Sequence, residues 1–168
     1  MKKQRKYLLW LLQEGGFMVA NLNLVQQRVT NVRLANNINS SMQLELGSSY
    51  NLNVTYRKDG NQCIANLTQA VVDKETEGKV FSFVATIEGI FSCEGATTDE
   101  IKRQIHVAVY DYLFPYVQTY CSTLFNMTGF NGFVLQKTSF DPSQISVGKP
   151  TEGQPRNPDG GPNLSLLS

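Results

Sequence analysis

The chain has 168 residues, 41% of them hydrophobic and 17% charged, with a net charge of +1. That length suits one domain with a sizeable core, and so even a charge balance gives no electrostatic basis for holding nucleic acid. Three cysteines (Cys63, Cys93, Cys121) with no C-x-x-C spacing exclude a zinc knuckle and argue against a disulfide framework, which favours a reducing, cytoplasmic setting.

The single histidine, His106, excludes a histidine-based metal cluster. It falls inside a predicted helix, where a structural role is expected. No glycine-rich phosphate loop and no paired-carboxylate pattern is present. The expectation is a protein that is not an enzyme and uses no cofactor or metal.

The N-terminus reads MKKQRKYLLWLLQEGGFM. Its apolar run, YLLWLL, is shorter than a signal-peptide core, lacks a small-residue cleavage site and is far too short to span a bilayer. No stable membrane insertion is expected. Gln13-Glu14-Gly15-Gly16-Phe17-Met18 can be encoded as CAA-GAA-GGA-GGT-TTT-ATG. That string holds AAGGAGGT, a bacterial ribosome-binding sequence, just before an ATG. Residues 1–17 are therefore expected to be a non-structural leader, with the true start at Met18.

Residues 19–35 contain two alternating pairs, Leu22/Leu24 and Val32/Leu34, consistent with one bulged strand or two short ones. From Met42 through Leu44, Leu46, Tyr50, Leu52, Val54 and Tyr56 the alternation is continuous, with polar residues between. Asp59-Gly60 predicts a tight hairpin. A strand over about 63–72, the charged turn DKETEGK and the series Phe81, Phe83, Ala85, Ile87, Phe91, Cys93 follow. Three or four antiparallel strands in a meander are expected, apolar on one face.

The period changes after Gly95. Thr97-Thr98-Asp99-Glu100 is a helix start, with a Thr followed three residues on by Glu. The spacing predicts a helix over 98–126, apolar on two sides. One sheet covers one side of a helix, so the second needs another subunit or a bound chain. Pro115 interrupts this helix at YLFPYVQ, where an interior proline costs about 3 kcal/mol. The helix is expected to bend or divide there. Beyond Asp141 the chain is rich in Pro, Gly, Asn and Ser, and 142–168 reads as a disordered tail.

EGIFSCEG at 88–95, LFPY at 113–116 and GFNGFVLQKTSFDP at 129–142 resemble, in order and spacing, segments of the SecB family of protein-export chaperones. The resemblance covers most of residues 19–142. It implies an α+β fold: a four-stranded antiparallel sheet packed with a long, proline-interrupted helix, followed by a disordered tail, so that 18–141 is the domain. It also implies a homotetramer whose helices lie in the interface, a holdase function toward unfolded preproteins, and hand-over to the SecA motor.

The implied groove lies where the sheet face meets the bent helix. Candidate client contacts are Phe83, Ile90 and Phe91 on the last strand, and Tyr112, Phe114, Tyr116 and Tyr120 on the helix, with Pro115 as the break. Two features depart from the family. The positions expected to dock SecA hold Asn31, Ala35 and Val84, none acidic, and Pro142 stands where a closing helix would start. The missing acids shift weight toward a dedicated chaperone of one partner, such as an antitoxin. A structural or small-ligand protein, with Phe81, Phe83 and Phe91 around a lipid, is the other alternative.

Overall fold

In a computed structural model, the structure describes residues 21–39, 43–96, 98–130, 132–139 and 141–147. The expected leader and the tail beyond residue 147 lie outside the described residues. Four strands, β1 (Leu22–Asn36), β2 (Leu46–Tyr56), β3 (Gln62–Asp73) and β4 (Phe81–Cys93), precede one helix, α1 (Asp99–Met127).

All neighbouring strands are antiparallel, in the order β1-β4-β3-β2. The expected meander holds for β2, β3 and β4. β1 departs from it: it pairs with β4, which closes a Greek key and leaves β1 and β2 at the two edges. Alternation identifies strands one at a time and carries no information about pairing order.

The mixed pattern of β1 comes from two register shifts, between Leu24 and Gln26 and between Val29 and Asn31. Each extra residue inverts the side-chain parity. Leu22 and Leu24 therefore share the helix-covered face with Val29 and then with Leu34, opposite Cys93, Phe91, Ile87 and Phe83.

The β2–β3 connection is wider than the expected tight hairpin. Arg57 N donates to Gln62 O (2.9 Å), which encloses four residues. Gly60, at φ +67°, supplies the one left-handed residue of this loop, and the Asp59 carboxylate accepts from Asn61 N (3.1 Å). Asp59 helps through its side chain rather than through a positive φ.

β3 and β4 alternate strictly between buried and half-buried residues. Their buried set, including Leu67, Val71, Phe81, Phe83, Ile87 and Phe91, meets α1 in one core. The helix starts where Thr98 Oγ1 accepts from Ile101 N (3.3 Å), so the cap is Thr98 itself. α1 runs through Pro115 as one helix. The proline removes a rung of the ladder without dividing the element.

Part of the stretch expected to be tail, residues 142–147, is described. A 3-10 turn at Pro142–Gln144 follows Asp141, whose carboxylate accepts from Ser143 N (2.9 Å). The described chain then continues to Val147.

Candidate functional site

Ile105, Val109, Leu113, Val117, Cys121 and Phe125 of α1 are buried, at a constant spacing of four. Such a row winds slowly around the helix axis, which suits a helix lying across a twisted sheet. The approach is close at Gly89, where an added Cβ would sit 2.9 Å from Leu113 Cδ2.

A second row, Arg103, Tyr110 and Gln118, is met by the chain that follows the helix. Phe133 stacks on Phe125 (4.4 Å between centroids, 16° between planes). Gln118 Nε2 donates to Leu135 O (2.9 Å), and Thr138 N donates to Tyr110 Oη (3.2 Å). Lys137 Nζ lies 2.7 Å from Asp111 Oδ1, and Arg103 Nε donates to Ile145 O (3.1 Å). The segment thus runs back along α1 in the opposite direction. The second apolar side of the helix, expected to need a subunit or client, is covered in large part by the chain's own residues.

The third row stays open. Tyr112 packs its ring edge against Phe91 (5.8 Å) and is half-buried. Tyr116 and Tyr120 follow at four-residue intervals and are 36% and 38% exposed. Pro115, beside them, is also exposed.

The candidate contacts therefore do not share one surface. Phe83, Phe91 and Phe114 are buried in the core. Ile90 alternates with Phe91 and faces the opposite side of the sheet, level with Gln26 and Ile64. Only Tyr112, Tyr116 and Tyr120 line a common open flank. Leu135, Gln118, Tyr110 and Arg103 were absent from the expected site. The spacing of Arg103, Tyr110 and Gln118, seven and eight residues along the helix, was the available signal, but it names no partner.

The face of the sheet away from the helix carries Asn31, Ala35 and Val84, as their register with Thr86, Ser82 and Arg33 requires. Glu88 is the one acidic residue that the strands put on that face, and Arg28 Nε binds it at 2.7 Å.

The remaining reactive groups are quiet. Burial holds His106 below its usual pKa, so it is neutral near pH 7. Cys63 and Cys121 are each pushed up to about 12, chiefly by burial, and all three cysteines are free and buried. Among the described residues no group of His, Cys, Asp or Glu could hold a metal ion, and no helix is long and apolar enough to cross a membrane.

One long helix thus lies over a four-stranded antiparallel sheet, and Tyr112, Tyr116 and Tyr120 leave an aromatic flank of it open. The family described as preprotein translocase subunit SecB matches residues 28–143, and the chain belongs to the SecB family. A similar solved structure is a SecB-like chaperone of Mycobacterium tuberculosis in complex with a ChAD peptide from an antitoxin. It is 13% identical, with a TM-score of 0.55, covering 70% of this chain and 88% of that one. A protein of unknown function from Streptococcus agalactiae is 12% identical, with a TM-score of 0.47, covering 71% and 100%. No curated protein matches the sequence.

Proposed function

We propose that the protein is a SecB-like holdase of the cytoplasm, a cofactor-free, non-enzymatic homotetramer that binds unfolded polypeptides and keeps them from aggregating. The observation that carries this reading is the family match over residues 28–143, on a helix that keeps Tyr116 and Tyr120 open beside half-buried Tyr112. Aromatic flanks suit varied clients because area burial needs no fixed partner geometry. Of the groove residues expected from sequence, these three tyrosines are the proposed client or subunit contacts. Phe91 supports Tyr112 from the sheet, while Phe83 and Phe114 belong to the core.

The test is suppression of aggregation of a chemically unfolded protein by stoichiometric amounts of this one. Suppression without nucleotide supports the reading, and unchanged aggregation rejects it.

A second reading, a dedicated chaperone for one partner such as an antitoxin, is favoured by the outer sheet face. Its one acidic strand residue, Glu88, is engaged by Arg28, which leaves little to attract a basic motor surface. The SecB-like chaperone of similar fold with an antitoxin peptide bound agrees with this. Affinity capture from the native cell separates the two: many unprocessed preproteins with SecA, or one dominant partner.

A further inference from the structure

We infer that residues 133–139 and 141–145 occupy a site on α1 that reads polypeptide main chain, and that an unfolded client takes this site by displacing them. This rests on the holdase reading above. The segment is held in an unusual way. Among the described residues, 133–139 make no main-chain to main-chain hydrogen bond. Their main chain is instead bonded by helix side chains, Gln118 Nε2 to Leu135 O and Tyr110 Oη from Thr138 N; further on, Arg103 Nε donates to the carbonyl of Ile145, whose own N donates to Pro142 O.

Those three groups lie seven and eight residues apart, on one stripe. With a rise of about 1.5 Å per residue they stand roughly 10–12 Å apart along the helix. Donors and acceptors so spaced, and aimed at backbone, ask nothing of the sequence they bind. The side chains agree. Among the described residues 133–139, Leu135 is the one that is buried, at 1% exposure, while Val134, Gln136, Lys137, Thr138 and Ser139 are exposed. One apolar anchor, a half-buried Phe133 and a bonded backbone are what an extended nonpolar client also brings. Asp111, ion-paired with Lys137, would then favour a client cation at that level.

The segment therefore competes with clients and lowers their apparent affinity by the fraction of molecules in which it is seated. The probe is a permanently unfolded, reduced and alkylated nonpolar polypeptide. Hydrogen exchange across residues 133–139 is followed with and without it. Exchange there is expected to rise by about tenfold or more on saturation, because Thr138 N loses its Tyr110 partner. Leu135→Ser, which unseats the segment but leaves the helix groups alone, should bind the polypeptide about tenfold more tightly. Adding Tyr110→Phe and Gln118→Ala to it should take that gain back. Melting curves confirm that each variant is folded, and should Leu135→Ser fail to fold, the exchange measurement on the unaltered protein decides.

Polypeptide binding with unchanged exchange at 133–139 overturns this inference and leaves the holdase reading standing. An unaltered protein that binds nothing, beside a Leu135→Ser protein that binds, supports a segment that closes the site completely. Failure of both to bind overturns this inference and the holdase reading together.

Discussion

Gly89 faces the underside of α1, and its missing side chain sets how near the helix comes. A Cβ there would fall 2.6 Å from Phe91 Cε2 and 2.9 Å from Leu113 Cδ2. Both of those side chains are fully buried, so neither can swing aside. Gly89→Ala is expected to cost about 1–3 kcal/mol through overpacking, read as a lower melting temperature. An unchanged melting point would mean that the helix has slack at this crossing. Asp73 is fixed in a different way. Its carboxylate accepts from Thr76 Oγ1 (2.6 Å), Thr76 N (2.7 Å), Phe81 N (2.9 Å) and Val80 N (3.3 Å). These bonds, the Thr76 hydroxyl first among them, hold its pKa at about 2. The folded value lies below the unfolded one, so this stabilisation is complete above about pH 4 and fades as pH falls toward 2. Asp73→Asn should give a lower melting temperature at pH 6 and a shallower decline between pH 4 and 2. Parallel declines in both proteins would remove Asp73 as a source of acid sensitivity.

Pro115 shows why an element can tolerate what its sequence forbids. It sits on the solvent side of α1, away from the buried row, so the lost rung affects neither Leu113 nor Val117 in the core. The following turn is steadied by Thr119 Oγ1, which donates to Pro115 O at 2.8 Å. Pro115→Ala should restore the bond to the Asp111 carbonyl and stabilise the protein by about 1–3 kcal/mol, below the full interior-proline cost because the present helix has already adapted. A fall in melting temperature would show that the ring itself makes contacts worth more than the rung. The strands and helix were legible because each carries its own period: 2 in β3 and β4, and close to 3.6 from Thr98 onward. Pairing order was not, since nothing local distinguishes β1 beside β4 from β1 beside β2. The aromatic candidates misled for a related reason. Phe83, Phe91 and Phe114 satisfy the pattern of a groove wall and of a core equally, and only their packing on Phe125, Tyr112 and Tyr110 decides between them; the segment around Leu135 was no easier to read. That segment has a weak alternation of its own, and it is ordered by side chains on another element.

At the scale of the whole molecule, the surface still carries unfinished business at its edges and on one helix flank. β1 and β2 each leave a row of main-chain groups unpaired by the sheet, and β1 adds Val25, 62% exposed at its first bulge. Tyr116 and Tyr120 continue the aromatic row that Tyr112 begins against Phe91. A stable contact between copies buries about 1,200–2,000 Å² in total, with aromatic residues favoured at its centre. The Tyr112–Tyr116–Tyr120 flank and the open β1 edge are the surfaces that such a contact would use. The protein is therefore expected to be oligomeric at micromolar concentration by light scattering, with four chains as the expected number. A stable monomer would reject this. Tyr116→Ser with Tyr120→Ser should lower the measured mass while leaving the circular dichroism of the folded chain intact, because neither ring is part of the buried core. The same pair of changes separates two roles for the flank. If it joins subunits, holdase activity should fall most for long clients that bridge several sites, since linked sites add avidity without adding contacts. If it binds client directly, short and long clients should weaken alike with the mass unchanged. Loss of neither mass nor binding would leave the tyrosine row without a role, and the search for the interface would move to the β1 edge.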